Sequence, residues 1–273
     1  MLKKFFENVK NPKNNFGGRF MVKGMNIGHE KLAKWGRSFL NIKTSDVVLD
    51  LGCGGGRNVQ YFLTKAKKVY GMDYSKTSVD IASSVNSEAI RDGRCKIIEA
   101  DVAKLPFEDE SINIVTAFET IYFWKNIEVS FREIHRVLVK DGQFLICNEG
   151  AYREHKNIKK WADMLDFEVY SPEYLTETLT KIGFKCEYHL DEKEHIVFLA
   201  RKLKKNLRIM KNKSKSKDIL LVPHLSNHIF RHTFTTRLNE QNINTKAMQS
   251  ILGHSDISTT MDIYVEVPKN RLL

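Results

Sequence analysis

An α/β fold with a doubly wound, largely parallel sheet is what this sequence predicts, and three observations carry that prediction. Val47–Leu51 is an apolar-rich run with the make-up of a buried parallel strand. Glycines stand at 52, 54, 55 and 56, where they let the chain turn sharply beneath a ligand. A helical pattern follows through Val59, Phe62, Leu63 and Ala66. Strand, glycine loop and helix in this order form the nucleotide-cofactor end of such a sheet.

The elements downstream repeat the alternation. Lys68–Asp73 reads as a second strand ending in an acid, whose carboxylate can accept both hydroxyls of a ribose. A third strand opens at Cys95 and runs toward Asp101-Val102, and Ser111–Phe118 gives a fourth. Phe131–Leu138 is a helix, and Asp141–Ile146 turns into a fifth strand. Ser171 as N-cap, Pro172 at the first helical position and Glu173 after it open another helix, which Gly183 is placed to end. Phe184–Leu190 and His195–Ala200 are then two strands joined by the charged turn Asp191–Glu194. The front end, 15–40, reads as an amphipathic helix behind a glycine-bearing turn. Two roles stay open for it: a lid that brings Met25, Asn26 and His29 to a substrate, or a helix packed on the sheet.

The glycine spacing narrows the ligand. A dinucleotide fingerprint places glycine first, third and sixth, but Arg57 stands sixth from Gly52 and Val59 sixth from Gly54. No Gly-Lys-Ser/Thr follows, which excludes a triphosphate loop. The pattern Asp50-x-Gly52-x-Gly54-x-Gly56 resembles motif I of class I S-adenosylmethionine-dependent methyltransferases. Residues 131–138 and 140–146, FREIHRVL and KDGQFLI, resemble the small-molecule type 11 branch of that family. The resemblance implies a Rossmann-like seven-stranded sheet with an antiparallel last strand, filling a domain over residues 1–203 with 1–40 as a helical lid. It implies S-adenosyl-L-methionine as cofactor, held by Asp50, Gly52, Cys53, Gly54, Gly56, Asp73, Tyr74, Asp101, Val102 and Phe118. Asp101 would accept from the adenine amino group and the Val102 N–H would donate to the ring.

Residues just past the fourth strand normally face the methyl group in that family. Here they run from Phe118 to Trp124, and their aromatic content suits a small, partly apolar acceptor. Glu119, Tyr122 and His29 are the candidate bases, whereas His135 sits in the helix and reads as structural. Amino-group DNA methyltransferases carry Asp/Asn-Pro-Pro-Tyr/Phe after the fourth strand, and cytosine-C5 enzymes use Pro-Cys. This chain has neither, so a small-molecule acceptor leads over RNA or protein.

Composition is that of an ordinary folded protein, with 42% apolar and 28% charged residues. No apolar run approaches the roughly 18 residues that a membrane span needs, and MLKKFFENVK lacks a secretory apolar stretch, so no membrane partner is expected. Cys53, Cys95, Cys147 and Cys186 form no C-x-x-C pair and read as reduced thiols, which suits the cytoplasm. The net charge of +11 is concentrated: residues 201–217 hold nine Lys/Arg and no acid. Residues 204–218 are accordingly a basic solvated linker, with weak nucleic-acid contact as a secondary property.

Beyond it, His228-x-x-Arg231 and Leu252-Gly253-His254 followed by Tyr264 resemble the end of the catalytic domain of tyrosine recombinases, the phage-integrase family. The resemblance implies that His228, Arg231 and His254 grip a scissile phosphate and that Tyr264 attacks it. Residues 219–273 would then be a small all-α fragment, too short for that catalytic domain and without its upstream arginine and lysine. Hence no recombinase turnover is expected. An alternative whole-chain reading is a DNA-associated fusion product with little methyl transfer. His224, His228 and His232 recur every four residues, but Pro223 and Ser226 put the helix start after His224, and no metal site is expected.

Overall fold

The computed structural model describes residues 28–203 together with Pro12, Gly17, Val22 and Gly24. The chain divides into Met1–Asn206 and Leu207–Leu273, and the described fold belongs to the first unit. Its elements are α1 (Glu30–Arg37), β1 (Val47–Leu51), α2 (Arg57–Leu63), β2 (Lys68–Asp73), α3 (Lys76–Val85), α4 (Ser87–Arg91) and β3 (Cys95–Glu99). Then come β4 (Ile112–Phe118), a 3-10 turn (Ile121–Phe123), α5 (Ile127–Val137), β5 (Leu138–Asn148), α6 (Lys156–Leu165), α7 (Pro172–Ile182), β6 (Phe184–Leu190) and β7 (Ile196–Lys202).

The strands form one seven-stranded sheet in the order β3-β2-β1-β4-β5-β7-β6. Pairing is parallel from β3 through β5, and β7 enters antiparallel between β5 and β6. The seven strands and the antiparallel last strand are as the sequence predicts. Strand alternation divides the core into two layers. Leu49, Phe144, Ile146 and Phe198 face α5 and α7, where Phe131, Ile134, Leu175 and Leu179 fill the same layer. Val48, Val69 and Ile114 point the other way, toward Val59 and Phe62 of α2 and Ala82 of α3. On that second face, Leu32 of α1 packs on Leu145, Cys147 and Val197.

Local chemistry sets the helix ends. The Tyr174 N–H donates to Ser171 Oγ at 3.3 Å, Pro172 occupies the first helical position, and Gly183 closes α7 in the left-handed region at φ 114°. Asn126 Oδ1 accepts the Val129 N–H at 3.1 Å and starts α5. α5 therefore begins four residues before the expected Phe131 and ends at Val137, because Leu138 already has extended backbone. The fifth strand likewise begins earlier than Asp141. Its pairing jumps from Ile112↔Leu138 to Ile114↔Gln143, so the residues between bulge out, with Asp141 at φ 63°.

The FREIHRVL helix acts as a clamp. Arg136 donates to the carbonyls of Phe107 at 2.8 Å and Leu105 at 3.0 Å, and to Asp109 Oδ1 at 2.8 Å. Glu133, paired to Arg136, accepts the Leu105 N–H at 2.9 Å. The segment after β3, which carries Asp101 and Val102, is thereby tied to α5. His135 lies edge-on to Phe184 with ring centres 5.1 Å apart, a packing role. No helix among the described residues is long and apolar enough to cross a membrane.

Phe131→Ala removes a fully buried ring from the larger layer and is expected to cost about 3–5 kcal/mol in chemical denaturation. Ser171→Ala, which deletes one cap, is expected to cost only about 1 kcal/mol.

Candidate active site

Two cavities open at the carboxyl ends of β1, β2, β4 and β5, where the strand order reverses around β1. The smaller measures about 370 Å3 and the larger about 650 Å3. They share a wall made by Gly52, Asp73, Tyr74 and Thr120 with Tyr122, Phe123 and Phe167.

The glycine loop shapes that wall. Gly52 has φ 65°, and a Cβ there would stand 2.1 Å from Thr120 Oγ1, so only glycine fits the turn. A Cβ on Gly54 would meet nothing within 4 Å, which leaves its backbone open to the cavity. Gly56 does something else: it lines neither cavity, and a Cβ there would strike Asn86 and Ala82, so it lets α2 approach α3. The Cys53 N–H donates to the Met72 carbonyl at 3.0 Å, and its thiol, raised by burial and by Asp73 and Asp50, stays protonated.

Two acids anchor the loop from below. Asp73, at the end of β2, accepts the Gly54 N–H at 3.0 Å and the Ser75 N–H at 2.9 Å. Burial still holds its carboxyl above the ordinary range. Asp50 is 1% exposed and lines neither cavity. It sits opposite Thr116 in the β1–β4 register and accepts that hydroxyl at 2.7 Å through Oδ1. Its Oδ2 has no hydrogen-bond partner among the described residues. Burial raises it to about 7 against the opposing Thr116 bond and Arg37 charge.

Asp101 and Val102 line the larger cavity beyond Tyr74. Asp101 is exposed, and its Oδ1 accepts the Ala103 N–H at 2.9 Å, which turns the loop. Phe118, Glu119 and Tyr122 line the smaller cavity with His29. Glu119 has φ 56° and accepts the Glu149 N–H. Burial and the neighbouring Glu149 carboxylate push Glu119 well above its usual range. The Tyr122 hydroxyl accepts the Gly150 N–H at 3.1 Å, and burial and Glu119 raise it well above an ordinary phenol. A buried phenol in that setting keeps its proton.

Sequence patterns did not single out Glu149 or Arg37. Glu149 follows β5 directly and lines the same cavity as Glu119, and His29 Nε2 stands 3.8 Å from its Oε1. Arg37 is 6% exposed, bonded to Asn58 at 2.7 Å and Glu30 at 2.6 Å, and lies 4.3 Å over the Tyr61 ring. The signal for each was positional: an acid at a strand end, and an arginine on the inward side of α1. Met25, Asn26, the linker 204–218, His228, Arg231, His254 and Tyr264 lie outside the described residues.

The site has a pH signature. Asp50 binds its proton more tightly in the folded state than at its ordinary 3.8. Its contribution to stability is therefore full below about pH 4 and is lost as pH rises through about 7. Asp73 and Glu119, both raised, act in the same direction. Asp50→Asn is expected to flatten the fall in urea midpoint between about pH 4 and pH 7.

Comparison with known proteins agrees with this geometry. A methyltransferase domain family matches residues 49–146, and the phage integrase family matches 132–271. The described part of the second match, 132–203, is built into the sheet from α5 to β7. The uncharacterised methyltransferase YcgJ of Bacillus subtilis (strain 168) is 31% identical over 118 residues, 41% of this chain and 46% of its own. A sterol 4-C-methyltransferase of Caenorhabditis elegans is 27% identical over 138 residues, 48% of this chain and 41% of its own. The chain thus spans less than half the length of these two relatives. The Haloferax volcanii methyltransferase solved with the Trm112 methyltransferase activator shares the fold, with a TM-score of 0.61 at 20% identity over 67% of this chain and 94% of that one. The chain therefore carries a methyltransferase domain of the S-adenosylmethionine-dependent class I type around residues 49–146, and it belongs to the phage integrase family over 132–271.

Proposed function

We propose that this chain transfers the methyl group of S-adenosylmethionine to a small, partly apolar acceptor. The observation that carries the proposal is the wall of Gly52, Asp73 and Tyr74 shared by two cavities of different lining. The larger holds Asp101 and Val102 at its far end, suited to an adenine edge. The smaller combines Glu119, Glu149 and His29 with Leu32, Trp161 and Leu165. The cofactor fits this layout: Gly54 offers open backbone, and Asp73 at the end of β2 lines both cavities, where a ribose would lie.

When bound, the sulfonium supplies an activated methyl group for in-line displacement. The protein's work is alignment and exclusion of water. Gly52 and Thr120 hold the turn beneath the junction of the cavities. Phe118 and Phe123 shield it from the side, and Trp161, 39% exposed, leaves apolar surface for an acceptor ring or chain. An acceptor O–H or N–H directed at the polar end meets a carboxylate or imidazole that can take its proton as the methyl arrives. Sterol methyltransferases among the relatives support a small apolar acceptor.

The proposed organisation is a methyltransferase domain over 1–203, a basic linker over 204–218 and a recombinase fragment over 219–273. In this proposal the fragment contributes no turnover and at most loose nucleic-acid contact. The four free cysteines, three of them buried, support a reducing, cytoplasmic setting.

Calorimetric titration of S-adenosylmethionine into the full-length chain is expected to show one site of micromolar class. Asp73→Ala is expected to weaken it by about 10–100-fold, the loss of hydrogen bonds to a charged acceptor. Gly54→Val, which fills open cavity, is expected to abolish it. Absence of heat from a folded wild-type chain would overturn the proposal.

A further inference from the structure

The polar end of the smaller cavity draws three side chains from three separate elements. His29 precedes α1, Glu119 follows β4 and Glu149 follows β5. One nitrogen or oxygen from each lies within 4.8 Å of the other two. We propose that His29, Glu119 and Glu149 bind one divalent transition-metal ion, whose remaining positions face the cavity and take a donor atom of the acceptor. The second half of this statement rests on the assignment of that cavity to the acceptor.

The donor set decides the class of ion. One imidazole and two carboxylates suit Zn2+, Mn2+, Fe2+ or Co2+, whereas Mg2+ and Ca2+ favour oxygen alone. Bonds of about 2.0–2.2 Å let an ion span donors up to about 4 Å apart, so sub-ångström side-chain rotations close the observed spacing. Much of the geometry is set beforehand. The Glu149 N–H binds the Glu119 carboxylate, and the Glu119 N–H donates to the Cys147 carbonyl at 2.9 Å, which locks the two loops together. The His29 carbonyl accepts the Ala33 N–H at 2.8 Å, fixing the imidazole's backbone to the first turn of α1.

Electrostatics point the same way. Two carboxyl groups meet on a partly buried wall, and His29 Nε2 stands 3.8 Å from Glu149 Oε1. A dication between them removes the repulsion and the desolvation burden at once. Three protein ligands leave open coordination, as substrate-binding metal sites require. With an ion bound, the three side chains would serve as ligands instead of as bases, and an acceptor oxygen held on the ion would release its proton to water more readily.

The test uses the full-length chain stripped with chelator, then titrated with Mn2+, Co2+ or Zn2+ and followed by Mn2+ electron paramagnetic resonance or Co2+ absorbance. Uptake of one ion per chain is expected, weakened at least about tenfold by His29→Ala and by Glu149→Gln. Far-ultraviolet circular dichroism and the urea midpoint of the same samples report whether each variant is folded, and S-adenosylmethionine titration reports the methyl-donor site separately. Should both variants lose the fold, nitrogen hyperfine coupling to selectively 15N-labelled histidine in the metal-loaded wild type, and its absence in His29→Gln, carries the test. Uptake unchanged by the substitutions would locate the ion elsewhere and overturn the site. A stripped chain that binds S-adenosylmethionine but none of the three ions would also overturn it. Stabilisation by methylammonium in place of a divalent ion would assign the carboxylates to an amine instead. Metal uptake lost with His29, in a chain that does not bind S-adenosylmethionine, would uphold the metal site while the methyl-transfer proposal fails.

Discussion

The link between Asp50 and Thr116 sits where the sheet reverses its order, and the rest of the site is arranged around that reversal. From β1 the chain crosses to β2 and β3 on one side and later returns to β4 and β5 on the other. The loops leaving β1 and β4 therefore part company, and a crevice opens between them. A buried hydroxyl-to-carboxylate bond of 2.7 Å joins the two strands one residue short of the end of β1 and two short of the end of β4. Above it the chain turns at Gly52 on one side and at Glu119 on the other.

Such a base is energetically burdened. Asp50, Asp73 and Glu119 all hold their protons more tightly than free carboxyls because burial removes water that would solvate the charge. Arg37, buried on α1 and bonded to Glu30 and Asn58, offsets part of this for Asp50. Asp73 and Glu119 line the cavities, where a cationic, hydroxyl-bearing ligand of the proposed kind would offset that desolvation. The left-handed backbone at Glu119 fits the same view, since an L-residue accepts that strain where the surroundings hold it.

Most of the sheet was legible because buried parallel strands advertise themselves as short apolar runs, and because glycine and strand-end acids punctuate them. Val47–Leu51, Lys68–Asp73 and Phe184–Leu190 stand at their expected bounds. The helices over 76–91 and 156–165 were not evident. α3 is rich in serine and threonine and buries Val79, Ile81 and Ala82 without a clean stripe. α6 buries Ile158, Ala162 and Leu165 against Tyr122 and Phe167 among many lysines, a seam that makes sense only once its partners are in place. Glu149 and Arg37 were hidden for a related reason: an isolated charge in sequence has no meaning until the fold supplies its neighbours. Gly56 shows the converse, a motif glycine whose space is used by helix packing.

The insertion of β7 between β5 and β6 has a consequence in time. Ile196, Phe198 and Ala200 complete the larger core layer, and they pair with residues near 144–148, some fifty positions earlier. During synthesis β5 must wait as an open edge, exposing Phe144 and Ile146 beside Leu145, until residue 202 has been made. The vulnerable interval is thus the passage from β5 to β7, when a nascent chain most needs protection from its neighbours. Once Lys202 has delivered its ammonium to the Leu138 carbonyl at 2.7 Å, that interval ends.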